Sequence, residues 1–319
     1  MSTMLNQDIA AQLKGRDFIA LIDYSQEELY FLLDLADELK RKQKAGEVYQ
    51  PLKGKTLGMI FEKSSTRTRV SFEVGMYQLG GHALFLSRND LQLGRGETIR
   101  DSAMTLSRFL DGIMIRTYAH RGVIELARAA TIPVINGLTD LAHPCQALAD
   151  YMTIREKKGR LQGIKLAYVG DGNNMSHSLM MGAAKFGVHI AVATPEGYEP
   201  DEEVTALTRE QIAKHGGSLT VVRDPKEAVD GADVVYTDVW ASMGMEAERE
   251  EREIKFRDYQ VNDELVKYAK PDYLFMHCLP AYRGKEVTES VIDGEHSIVF
   301  DQAENRLHAQ KAILAALMG

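Results

Sequence analysis

Short apolar runs alternate with helical patterns along nearly the whole chain, and this alternation narrows the possible folds more than any other feature. Strands separated by helix-length crossovers pair in parallel, with the crossovers covering the sheet. Candidate strands fall at Thr56–Phe61, His82–Leu86, Gly112–Arg116 and Pro133–Asn136, and a second series at Lys165–Val169, His189–Ala193, Ser218–Val222, Asp233–Thr237 and Tyr273–His277. Ser25 with Glu28 three residues later predicts a capping box at the first clear helix, with Leu29, Leu32, Leu33 and Leu35 behind it. A chain of 319 residues exceeds what one core usually serves. The expectation is an α/β protein of two domains, each with a central, mainly parallel sheet flanked by helices. The helix Pro144–Arg155 and the polar stretch Glu156–Gly163 suggest domains of 1–150 and 151–304, with a C-terminal helix at 305–319 packing back on the first. One long irregular segment, Val239–Tyr259, is rich in Glu and Arg; by charge alone it reads as a disordered excursion.

Composition removes several classes of function. The net charge of -8 argues against a nucleic-acid or anionic-membrane partner, although a local basic pocket remains compatible with it. No apolar run is long enough to span a bilayer, and Met1 to Lys14 lack the pattern of a secretory signal. Cys145 and Cys278 are too few for a disulfide framework or a cysteine-based zinc site, which points to a reducing cytoplasm and to no metal.

The densest chemical signal is Ser64-Ser65-Thr66-Arg67-Thr68-Arg69, between the strand ending at Phe61 and a helix reaching Gly80-Gly81. A helix start presents unpaired N–H groups and positive dipole. The hydroxyls and two guanidiniums there make a phosphate-sized receptor, the plainer alternative being a capped helix with solvated arginines. No G-x-x-x-x-G-K-[ST] loop occurs. Gly170-Asp171-Gly172 is only part of a dinucleotide fingerprint, because Met175 stands where the third glycine belongs.

Two further groups lie at predicted strand ends. In His143-Pro144-Cys145-Gln146, His143 can donate to a carbonyl oxygen while Gln146 accepts from an amide, although a lone His-Pro-x-Gln is commonly a capping detail. Arg116 adds a cation at the same sheet edge. In the second half, Asn174, Asp238 with Ser242-Met243-Gly244, and His277-Cys278-Leu279-Pro280 each follow a strand. Asp238 can pair with an amine and Asn174 with an amino-acid head group; Cys278 is either a nucleophile or a contact residue, with no feature marking an activated thiol.

Together, and in this order, these segments resemble the aspartate/ornithine carbamoyltransferase family over nearly the whole chain. Ser-Thr-Arg-Thr-Arg and His-Pro-x-Gln are shared by both branches, while Asp238 with Ser242-Met243-Gly244 and His277-Cys278-Leu279-Pro280 is similar to the ornithine branch. The resemblance implies that Ser65, Thr66, Arg67 and Thr68 hold the phosphate of carbamoyl phosphate, Arg116 and His143 polarise its carbonyl, and Gln146 holds its amide. Gln92 would reach a neighbouring subunit's site in a homotrimer or a multiple of trimers. Asn174, Asp238, Ser242 and Met243 would bind the α-amino-acid end of L-ornithine; Cys278 and Leu279 would meet its side-chain amine and the carbamoyl group, with Arg306 completing the donor site. Arg116, His143 and Cys278 would be the catalytic set. The segment Val239–Tyr259 then becomes a lid, and no cofactor is implied. Another amine acceptor, a silent sensor of carbamoyl phosphate, and a nicotinamide oxidoreductase are the rival readings, the last weakened by the defective glycine fingerprint.

Overall fold

The computed structural model describes residues 3–91, 96–242 and 244–319. Contacts divide the chain into one unit of Met1–Met152 with Glu304–Gly319 and a second of Thr153–Ala303. The first contains α1 (Thr3–Leu13), α2 (Gln26–Lys44), β1 (Thr56–Phe61), α3 (Thr66–Gln78), β2 (His82–Ser87), α4 (Ile99–Leu106), β3 (Gly112–Arg116), α5 (His120–Ala129), β4 (Val134–Leu138) and most of α6 (Pro144–Lys158). The second contains β5 (Lys165–Val169), α7 (Asn174–Phe186), β6 (His189–Ala193), α8 (Glu202–His215), β7 (Ser218–Val222), α9 (Pro225–Val229), β8 (Val234–Thr237), α10 (Arg249–Lys255), α11 (Asp263–Val266), β9 (Leu274–His277) and α12 (Glu289–Ile292). The long α13 (Val299–Met318) begins in the second unit and gives its larger part, from Glu304, to the first. None of the described helices is long and apolar enough to cross a membrane.

Both sheets are parallel throughout their described pairings, in the orders β2-β1-β3-β4 and β7-β6-β5-β8-β9. The interior strands β3 and β8 are buried at every position, as sheets covered on both faces require, and so is β4, last in its sheet, where Phe18 bridges to Ile135. Edge strands β2 and β7 are largely half-buried or exposed. Helix α2 starts as its sequence predicts: Ser25 Oγ accepts from the Glu28 amide at 3.1 Å, and the Glu28 carboxylate accepts from the Ser25 amide at 2.8 Å.

Several boundaries differ from expectation for local reasons. Strand β4 begins after Pro133, which has no N–H to give and contributes only its carbonyl, accepting from the Ile113 amide at 2.9 Å. Asp233 stands before β8 because its carboxylate accepts from the Lys165 amide at 2.8 Å. The segment Val239–Tyr259 is not an irregular excursion: it carries a short 3-10 turn at Glu246–Glu248, α10, and another turn at Arg257–Tyr259. Arg252, Phe256 and Tyr259 are its inward stripe at helical spacing, and three buried side chains hold what charge alone suggested would be loose.

The partial glycine fingerprint also acquires a structural meaning. A Cβ on Gly172 would lie 2.3 Å from backbone atoms of Glu199 and Pro200, because the loop between β6 and α8 crosses directly over it. Gly172→Ala should therefore cost roughly 1–3 kcal/mol of stability through forced backbone displacement. Urea unfolding of the variant beside the unchanged protein measures this, and an unaltered midpoint would show that the loop yields freely.

Candidate active site

Each sheet has one place where strand order reverses, and crossover helices then leave a crevice at the C-terminal strand ends. In the first unit this point lies between β1 and β3, where Phe61 pairs with Arg116. Beyond Phe61 the chain turns through Ser64-Ser65 into α3, whose start is capped by Ser65 Oγ accepting from the Thr68 amide at 3.2 Å. The first turn of α3 therefore faces the end of β3.

Thr68, fully buried, is the hub of this crevice. Its hydroxyl accepts from Arg306 Nη2 at 3.1 Å, from Arg116 Nη1 at 3.5 Å and from Ser65 Oγ at 3.2 Å. Arg306, 2% exposed, also donates from Nη1 to Gln146 Oε1 at 2.6 Å and from Nε to Gln310 Oε1 at 2.9 Å. Gln146 passes its own amide N–H to Asp150 at 2.9 Å. His143, immediately before α6, is buried here, and its basicity lies well below the ordinary imidazole range. Burial is the main cause, followed by the positive charges of Arg306, Arg116, Arg67 and Lys63. The imidazole is therefore neutral at pH 7, available to donate or accept a hydrogen bond without carrying charge.

The structure thus brings together Ser65, Thr68, Arg116, His143, Gln146 and Arg306, with half-buried Arg67 close enough for its charge to act on His143. Thr66 is exposed at the helix start. The second arginine of the motif does not join them. Arg69 sits two residues past Arg67, on another helix face, where it pairs with Glu73 at 3.0 Å and lies 3.8 Å over the Phe85 ring. Lys63, which no motif marked, is buried between Phe61 and Ser64 and bridges to Asp140 at 3.0 Å. Gln92, expected near this group, lies outside the described residues.

In the second unit the reversal falls between β5 and β8, where Val169 pairs with Thr237. Asp238, buried at the end of β8, accepts from Cys278 Sγ at 3.1 Å and from Asn173 Nδ2 at 2.9 Å. Asn173 also caps α7, accepting from the Met175 and Ser176 amides at 2.9 and 3.2 Å. The amide meeting Asp238 thus belongs to Asn173, which the sequence did not single out; Asn174 is the half-buried first residue of α7. Ser242 is half-buried beyond Trp240, and its carbonyl accepts from the Met245 amide at 3.0 Å; Met243 lies outside the described residues.

Cys278 and Leu279 follow β9. Leu279 has a left-handed backbone (φ 59°) and precedes a cis peptide to Pro280, while its amide donates to His277 Nδ1 at 2.8 Å. Because Nδ1 accepts, the other ring nitrogen carries the proton and donates to buried Glu286 at 3.1 Å. Donor atoms of Asp238, His277 and Cys278 lie within 4.8 Å of one another. Both imidazole nitrogens are engaged, so this trio is a hydrogen-bonded assembly rather than an open ligand set.

Comparison with known proteins finds two family descriptions along the chain. The family description "Aspartate/ornithine carbamoyltransferase, carbamoyl-P binding domain" matches residues 16–156, and "Aspartate/ornithine carbamoyltransferase, Asp/Orn binding domain" matches residues 162–317. The chain belongs to the aspartate/ornithine carbamoyltransferase family. Among relatives in this family, it is 63% identical to the ornithine carbamoyltransferase of Anoxybacillus flavithermus over 98% of this chain and 100% of that one. The crystallised ornithine carbamoyltransferase of Pyrococcus furiosus is similar at 62% identity and a TM-score of 0.94, covering 96% of this chain and 98% of that one. The Thermus thermophilus enzyme of that name matches at 45% identity and a TM-score of 0.85, over 95% of this chain and 99% of that one.

The state of His143 gives a pH prediction. A histidine kept neutral by the fold takes up a proton only on unfolding, so below its ordinary pKa, about 6.5, the unfolded chain binds more protons. Its contribution to stability is intact above that pH and falls as pH drops below it. His143→Gln should flatten the dependence of unfolding free energy on pH between about 6.5 and 5. An unchanged slope in denaturant titrations would mean that His143 protonates readily in the folded protein.

Proposed function

We propose that this chain transfers the carbamoyl group of carbamoyl phosphate to the side-chain amine of L-ornithine, giving L-citrulline and phosphate. The observation that carries the reading is the convergence of Arg116 and Arg306 on the buried Thr68 hydroxyl, beside neutral His143 and Gln146. Buried guanidiniums suit a dianionic phosphate, whose oxygens they can meet bidentately with full opposite charge. Family membership over both units supplies the reaction class.

Ser65, Thr66, Arg67 and Thr68 hold the phosphate, helped by the N-terminal N–H groups of α3. Arg116, Arg306 and the neutral His143 direct donors at the carbonyl oxygen, while Gln146 orients the amide. The unprotonated amine of ornithine attacks the carbonyl carbon and the C=O π pair moves to oxygen, giving a tetrahedral oxyanion. Donors already in place stabilise that charge; removing one typically costs about 10²–10³ in rate. The oxyanion collapses, the C–O bond to phosphate breaks, and the proton lost by the amine leaves on the phosphate. Asn174, Asp238, Ser242 and Met243 take the amino-acid end of ornithine, and Cys278 and Leu279 take the amine and carbamoyl group. No cofactor enters this scheme.

The same reading gives a homotrimer in which Gln92 serves a neighbouring chain's site, and places the protein in the cytoplasm. Val70 and Tyr77, seven residues apart on one side of α3, are exposed apolar side chains suited to contact with another copy. Both cysteines are free thiols, which suits a reducing compartment.

A citrulline assay with carbamoyl phosphate and L-ornithine tests the activity directly. Arg67→Ala should lose at least a hundredfold in kcat/KM, on the order of 3–5 kcal/mol; retention of more than about a tenth would remove Arg67 from the phosphate site. Ornithine's amine titrates near 10.4, so its reactive form lies roughly 4.6 kcal/mol uphill at neutral pH. At sub-saturating ornithine the rate should rise from pH 6 to pH 8, and a flat profile would contradict attack by the free amine. For the shared site, Gln92→Ala and Arg67→Ala chains are mixed, unfolded and reassembled one to one. About a quarter of sites in a cyclic trimer then regain both side chains, with activity near a quarter of the unchanged protein's. Activity at only the mean of the two parents, with the unchanged protein surviving the treatment, would place Gln92 in its own chain's site.

A further inference from the structure

Among the described buried side chains that hold the segment after Asp238, one is charged. Helix α10 exposes Arg249, Glu250, Glu251, Ile254 and Lys255, yet Arg252 on the same helix is only 7% exposed. Arg252 Nη1 donates to the Asp171 carboxylate at 2.7 Å and to the Trp240 carbonyl at 2.9 Å, and Nε donates to Glu248 at 2.9 Å. Its guanidinium lies 4.9 Å over the Tyr198 ring. One turn on, Phe256 packs between Tyr198 and Trp240, at ring-centroid distances of 4.8 and 6.1 Å.

Two strand ends are joined by this contact. Asp171 lies three residues before Asn174, and Trp240 stands midway between Asp238 and Ser242. Space alone does not explain an ion pair here, since buried pairs are often no more stabilising than apolar side chains of the same volume. Burial in fact pushes the Asp171 carboxyl up to about 6 against the pull of Arg252. Unlike an apolar pair, a guanidinium bonded at once to a carboxylate and a main-chain carbonyl fixes the distance and direction between two loops.

We propose that Arg252, through Asp171 and the Trp240 carbonyl, is a positioning residue that sets the spacing between Asn174 and the Asp238–Ser242 segment and thereby governs affinity for the amino-acid end of the acceptor. This rests on the acceptor assignments of the proposed function. Arg252→Ala should raise the KM for L-ornithine about ten- to a hundredfold, while that for carbamoyl phosphate changes less than about threefold. Asp171→Asn, which keeps the shape and loses the charge, should raise the ornithine KM by about three- to tenfold. The double variant Asp171→Leu, Arg252→Met refills the space without the hydrogen bonds, so its thermal midpoint should return towards that of the unchanged protein while the ornithine KM stays high. Parallel rises in both KM values, an unaltered ornithine KM in Asp171→Asn, or its restoration in the apolar double variant overturns the assignment. If Arg252→Ala does not fold, the other two variants decide on the same criteria. An unchanged protein that forms no citrulline would instead refute the proposed activity. Ornithine binding followed through Trp240, the chain's single tryptophan, would then test positioning in the same variants.

Discussion

In a parallel sheet every strand ends on the same edge, and the residues placed there have no further strand to pair with. This constraint shapes both halves of the molecule. Where the order reverses, at β1/β3 and at β5/β8, neighbouring crossovers depart in opposite directions and the strand-end residues face a crevice. Ser65, Thr68 and Arg116 occupy the first such position, and Asn173 and Asp238 the second. The two units use one architectural solution with opposite electrostatic character. One gathers cations around a hydroxyl, and the other gathers an amide and a thiol around a carboxylate.

Burial and charge in the first crevice together set the state of its histidine. Arg116, Arg306 and Lys63 are all buried, and their combined field, together with burial, keeps His143 neutral. The Thr68 hydroxyl collects donors from Ser65, Arg116 and Arg306. Such a site is preorganised: its donors need not be recruited when negative charge arrives or develops.

Much of this was legible in the residues because the decisive signals are periodic or dense. Apolar runs bounded by helical patterns located the strands to within a residue or two, and Ser-Ser-Thr-Arg-Thr-Arg marked the helix start. What escaped depends on packing. Arg69 belongs to the same motif as Arg67 but points away, because two residues along a helix change its face. Gly172 looked like half of a nucleotide fingerprint, and is required by the passage of a neighbouring backbone. Arg252, in a run of mixed charge, was indistinguishable from its solvated neighbours until its burial was seen. Asn173 and Asn174 are adjacent and chemically identical, and only the geometry of the α7 cap decides which one reaches Asp238.

The place of α13 in the chain has a temporal consequence. Arg306 bonds to Thr68 and Gln146, and neighbouring Asn305 accepts from buried Lys40 at 2.9 Å, so the crevice of the first unit draws on residues from opposite ends of the sequence. On the ribosome, β1 to β4 emerge long before α13, and the whole second unit is synthesised in between. During that interval Thr68 and Gln146 lack their partner Arg306, and the crevice is incomplete. Domains generally fold in the order of their synthesis, but here the half begun first is finished last. A nascent chain therefore completes this crevice only once α13 has cleared the exit tunnel.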